Sequence, residues 1–192
     1  MSVNLGKGQK ISLEKEAGGA LTKIIMGLAW DAVKTKGFFG KTSSPDIDLD
    51  ASCILFDESN RQVDVVWFRQ LKSRDGSIVH TGDNRTGDGD GDDEQIIVDL
   101  PKVPANVKSL MFTVNSFTGQ NFSQVENATC RIVNGVNKSE IARFNLSTLG
   151  NHSAQIMAKV YRHNGEWKMH AIGEIGNGRT FDDLMPQITP HL

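Results

Sequence analysis

The sequence predicts an all-β fold, a β-sandwich of two mostly antiparallel sheets with short helical segments in its loops. Three observations carry this reading. Short runs of alternating apolar and polar residues recur along most of the 192-residue chain, with Gly, Asn, Asp and Pro between them, as in strands joined by turns. The last two runs meet at Asn164-Gly165, the dipeptide that suits a type I′ hairpin turn. Helical periodicity is scarce, confined to residues 120–127, where Phe122 and Val125 share a face, and to residues 180–184.

In chain order, the first strand pattern is KISL near Ile11, followed by LTKIIMGLAW over residues 21–30. In DIDLDASCILF, residues 46–56, a period of two puts Ile47, Leu49, Ala51, Cys53 and Leu55 on a core face, with Asp46, Asp48, Asp50 and Ser52 opposite. VDVVWFRQ (63–70), SIVHT (77–81), QIIVDL (95–100), VKSLMFTVNSF (107–117), ATCRIV (128–133) and EIARFNL (140–146) follow, all rich in β-branched or aromatic residues. SAQIMAKVYRH and EWKMHAIG flank the hairpin turn. The segment 34–45 reads as a loop whose Phe38 and Phe39 either form a contact patch or fold back onto the sandwich. Residues 1–176 are expected to form one domain and residues 177–192 a tail adding little to the sandwich core. Met185-Pro186 should end any helix there, and the final QITPHL should fray.

A net charge of −2 and a pI near 6.2, with no Lys/Arg run, argue against nucleic acid as a partner. The longest apolar run among the first thirty residues, 24–30, is too short for a transmembrane segment and is misplaced for a secretion signal, so a cytoplasmic protein is expected. Cys53 and Cys130 each sit in an apolar strand pattern and read as small buried hydrophobes.

The chemistry concentrates in HTGDNRTGDGDGDDEQ, residues 80–95. Six carboxylates, Asp83, Asp88, Asp90, Asp92, Asp93 and Glu94, face one cation, Arg85, a local charge of −5. Two like charges about 4 Å apart repel by roughly 4 kcal/mol at the effective dielectric of a protein surface, so the loop needs full solvation or a cation. Ca²⁺ takes about six to eight oxygens. Here carboxylates are joined by the side-chain oxygens of Asn84 and Thr86, and by glycines such as Gly87 that free the backbone to turn carbonyls inward. A solvated acidic loop is the alternative; strand-like flanks pin both ends of the segment and count against it. An EF-hand fails, because Asp93 stands where that loop requires Gly, Asp99 stands where it usually has Glu, and the flanks are β-rich.

Asp46, Asp48 and Asp50 form a second acidic group, spaced about 6.6–7 Å along one strand face and therefore needing a partner segment to share an ion. The Asp83–Glu94 loop is the expected partner, the two together forming one centre with two Ca²⁺ ions. An outward polar face is the alternative, although Asp is depleted in strands. Asp31, after the run ending at Trp30, is a further carboxylate source or a plain strand terminator. The five histidines lack zinc-site spacing, and no nucleophile elbow, phosphate-binding glycine loop or SxxK sequence occurs.

GLAWD (27–31), DIDLDAS (46–52), HTGDNRTGDGDGDDE (80–94), QNFSQVENATCRIV (120–133) and YRHNGEWKMHAIGE (161–174) together resemble the TerD family over nearly the whole chain. FFGK, LKSRDGS and NGRTFDDLMP are most similar to its TerZ branch. The resemblance implies a Ca²⁺-binding β-sandwich of bacterial tellurite-resistance and stress-response systems, with other such proteins as partners at the inner face of the membrane. Ala29 departs from the Gly of GLGWD, and Asp88 stands where the family often has Glu. The leading expectation is a non-enzymatic, metal-dependent interaction module. A divalent-metal-dependent hydrolase using the same carboxylates is the alternative, as is direct thiol chemistry at Cys53 and Cys130.

Overall fold

The computed structural model describes residues 3–4, 7–19, 21–32, 35–36, 42–43, 48–84, 91–146 and 150–192. Its elements begin with β1 (Val3–Asn4), β2 (Lys10–Ser12), the one-turn helix α1 (Leu13–Glu16), β3 (Lys23–Ala32), β4 (Thr35–Lys36) and β5 (Thr42–Ser43). The central strands are β6 (Leu49–Asp57), β7 (Gln62–Val66), β8 (Ile78–His80), β9 (Glu94–Asp99) and β10 (Val107–Ser116). The last are β11 (Val125–Asn134), β12 (Glu140–Asn145), β13 (Ala154–His163) and β14 (Glu166–Gly176), followed by the short helix α2 (Met185–Ile188).

The strands build two six-stranded sheets, in the orders β1-β12-β11-β3-β9-β8 and β2-β14-β13-β10-β6-β7, with β4 and β5 forming a separate ribbon. All pairings are antiparallel except β1 with β12. Between the sheets lies the main core, into which β6 sends Leu49, Ala51, Cys53 and Leu55, β3 sends Ile24, Met26, Leu28 and Trp30, and β13 sends Ala158 and Val160. The β13–β14 hairpin turns at Asn164 and Gly165, both with positive φ (53° and 80°), as a type I′ turn requires. Cys53 and Cys130 are free, buried and on different sheets, and burial pushes both thiols above their ordinary pKa. Among the described residues no helix is long and apolar enough to cross a membrane.

Two local expectations are corrected. Within residues 120–127 a 3₁₀ turn covers only Phe122–Gln124, and β11 begins at Val125 opposite Ala32. Phe122 and Val125 are buried, but sheet pairing claims the second of them. The C-terminal segment also does not fray. Phe181, Leu184 and Ile188, at 3%, 0% and 0% exposure, form a second cluster with Ile54, Phe56, Met111, Ile156 and Ile172 on the outer face of the β6 sheet. The 3₁₀ helix over Phe181–Leu184 ends before Met185, as expected, but Pro186 does not stop the chain from continuing into a further helix. That proline lies in the first turn of α2, where a missing N–H has no intrahelical partner to lose. Covered on both faces, β6 is buried along its whole length. Phe38 and Phe39 lie outside the described residues.

Candidate metal centre

The two acidic segments meet at one end of the sandwich. β6 carries Asp50 on its outer face, with Asp48 two residues earlier on the same side, while the chain leaving β8 brings Asp83 to them. One carboxylate oxygen from each of Asp48, Asp50 and Asp83 lies within 4.8 Å of the other two. Asp48 and Asp50 are buried, at 7% and 3% exposure, whereas Asp83 faces solvent. Burial pushes the Asp50 carboxyl from 3.8 up to about 8, helped by the charges of Glu94, Asp48 and Asp83. Asp50 Oδ2 is buried and has no hydrogen-bond partner among the described residues.

Glu94, the first residue of β9, crosses from the opposite sheet. Its fully buried carboxylate accepts from the Ala51 N–H at 2.8 Å and the Asn84 N–H at 3.3 Å, and lies 3.3 Å from His80 Nε2. Burial raises its pKa, against the lowering pull of His80 and these amides. Three carboxylates around one point, one of them forced towards its neutral form, fit a hard divalent cation. Such an ion would take the hard oxygens of Asp48, Asp50 and Asp83 and offset the repulsion that burial magnifies.

The other expected ligands divide. Asp31 is exposed and accepts from Asn127 Nδ2 at 2.8 Å. Asp92 accepts from Arg131 Nε at 2.7 Å and Gln95 Nε2 at 3.0 Å, packed over Gly27, where a Cβ would overlap its carboxylate. Asp93 accepts from the Trp30 N–H and from Asn84 Nδ2, both at 2.9 Å, which fixes the end of the acidic segment onto β3. These three carboxylates and Asn84 thus already have protein partners. Asp46, Thr86, Gly87, Asp88 and Asp90 lie outside the described residues.

Two contributors were not read from the sequence. His80 is buried at 2% exposure beside Glu94, at the end of a strand pattern that carries no sign of this contact. Asn115 sits directly opposite Asp50 on β10. Its Nδ2 donates to the carbonyls of Gly178 (3.2 Å) and Thr180 (3.0 Å), and its buried Oδ1 has no hydrogen-bond partner among the described residues, a neutral oxygen beside the acidic cluster. The one available signal was an asparagine inside a strand pattern, where that residue is depleted.

The family model described as TerD domain matches residues 1–187. The chain is 48% identical over 188 residues to "Tellurium resistance protein TerZ" of Serratia marcescens, covering 97% of this chain and 96% of that one. It is 40% identical over 196 residues to "Stress response protein SCP2" of Bacillus subtilis (strain 168), covering 96% and 98%. Among solved structures, a Streptomyces coelicolor A3(2) homologue of the telluride resistance protein TerD matches with TM-score 0.71 at 20% identity, over 88% of this chain and 96% of that one. SAV2460, a protein of unknown function, matches with TM-score 0.72 at 22% identity, over 86% and 96%. Both structures agree in fold.

Proposed function

This chain belongs to the TerD family of tellurium-resistance and stress-response proteins, and on that premise we propose that it is a cytosolic Ca²⁺-binding module acting through metal-dependent contacts with other proteins and not through catalysis. One observation carries the reading: the buried Asp50 carboxylate, with an oxygen lacking a hydrogen-bond partner among the described residues, held between Asp48 and Asp83. A cation bound there ties the chain after β8 to β6, joining opposite sheets. The further carboxylates of the acidic sequence between Asp83 and Glu94 favour a second Ca²⁺ ion.

Titration calorimetry of metal-stripped protein with Ca²⁺, Mg²⁺ and Mn²⁺ tests the reading. Binding of Ca²⁺ in clear preference to Mg²⁺ is expected, since a cluster of several protein carboxylates suits the larger ion, whereas Mg²⁺ keeps most of its waters. At free Ca²⁺ about one hundred times the dissociation constant, one site adds about 2.7 kcal/mol to stability. No heat and an unchanged melting temperature would overturn it, and hydrolysis dependent on Mg²⁺ or Mn²⁺ would favour the enzyme reading.

A further inference from the structure

The outer face of the β6 sheet carries a second charged region, of opposite sign, away from the carboxylates. Lys10 on β2, His170 on β14 and Lys159 on β13 stand directly opposite one another in a single row. In the next row are Ser12, Lys168 and Tyr161. All six project outward, because the residues alternating with them, Ile11, Met169, Ala171, Val160 and Ala158, face the core. Lys10, Ser12, Lys15, Tyr161, Lys168 and Glu166 line a cleft of about 290 Å³.

Like charges placed directly across strands are destabilising. Burial, reinforced by Lys10, depresses Lys159, and burial reinforced by Lys10, Lys159 and His191 depresses His170, as expected where cations crowd one face. Several cations elsewhere have carboxylate partners: Arg131 has Asp92, Arg143 has Glu140, Arg61 has Asp57 and Lys102 has Asp99. None of Lys10, Lys15, Lys159 and Lys168 has a carboxylate within 4.0 Å among the described residues, and nearby Glu174 is taken by His191 at 2.8 Å. Four ammonium groups therefore gather on one face of a chain whose net charge is −2.

We infer that this cleft binds a phosphate group. Lys10, Lys15 and Lys168 contact its oxygens, the Ser12 and Tyr161 hydroxyls donate to it, and Lys159 supplies charge from beside the Tyr161 ring, 5.2 Å from its centre. Three lysines and two hydroxyls, against the one carboxylate of Glu166, line this small cleft and suit a compact dianion with many oxygens better than an extended acidic peptide. The phosphate belongs either to a soluble phosphomonoester or to an anionic lipid headgroup. Lys159 lies five residues along β13 from Ala154, which pairs with Asn115 beside the carboxylates, so the two sites are at least about 16 Å apart and the inference stands whether or not Ca²⁺ binds.

The test uses the full chain, in chelator and again in Ca²⁺, titrated with inorganic phosphate at constant ionic strength while backbone amide resonances are followed. Sedimentation with phosphatidylcholine vesicles, with and without phosphatidic acid, runs in parallel. Shifts confined to residues 10–15, 159–161 and 166–170 are expected, with affinity reduced roughly tenfold or more in Lys10→Gln/Lys168→Gln, the loss of charge-assisted hydrogen bonds. Lys168→Arg should retain binding. Phosphate shifts together with selective binding of phosphatidic acid vesicles would assign a lipid headgroup, and phosphate shifts alone a soluble ligand. Shifts spread over the surface, none at all, or shifts unchanged in the double variant would overturn the inference.

Discussion

Replacing Asp50 by asparagine separates the two things its carboxylate does. In the ion-free protein its pKa rises from 3.8 to about 8, first through burial and then through Glu94, Asp48 and Asp83. The folded state thus keeps a proton that the unfolded chain releases near pH 4. The stability from this group is fully present below about pH 4 and is lost as pH rises through about 8. At pH 7 the loss spans about three pH units at about 1.4 kcal/mol each, on the order of 4 kcal/mol. An amide of the same shape carries no such cost. Ion-free Asp50→Asn should therefore be more stable than the parent at neutral pH, with a flatter dependence on pH up to about 8. With Ca²⁺ the gap narrows, because the parent gains about 2.7 kcal/mol at one hundred times its dissociation constant and the variant gains little. Urea unfolding at several pH values, in chelator and in Ca²⁺, measures both effects. A variant less stable than the parent without ions at neutral pH, or one keeping the full Ca²⁺ gain, would refute the argument.

Asp48→Ala and Asp83→Ala should each weaken Ca²⁺ binding, and the double variant should lose less than the sum because both damage one site. Calorimetry showing strict additivity would separate them. Leu184→Ala, removing a fully buried side chain from the cluster over Ile54 and Met111, should cost roughly 2–5 kcal/mol. An unchanged denaturation midpoint would mean that the C-terminal segment is not packed there.

The strands were legible because alternation leaves a direct mark on the sequence, and β6 shows how far that mark reaches. Leu49, Ala51, Cys53 and Leu55 were read as core and lie there, and the aspartates were read on the other face, where Asp48 and Asp50 are found. The burial of that second face was not legible. Its cover comes from Phe181, Leu184 and Ile188, more than a hundred residues later, in a segment too short and too proline-rich to show amphipathic periodicity. The acidic loop announced itself by charge. Composition could not separate carboxylates that converge, such as Asp50 and Asp83, from those held by their own donors, such as Asp92 by Arg131. Nor could it find Asn115, whose place is fixed by cross-strand register alone.

The hydrogen bond from the Ala51 N–H to Glu94 also bears on how the molecule avoids other molecules of its kind. β7 pairs with β6 from Phe56 only as far as Cys53, leaving the stretch before it beyond the reach of that pairing. Exposed strand amides are templates for strand addition, the route to edge-to-edge aggregation. Glu94 occupies the Ala51 amide with a buried carboxylate from the opposite sheet, and a charge at that position is hostile to an incoming backbone. One side chain thus belongs to the acidic centre and also guards the half-open flank of the strand on which that centre is built.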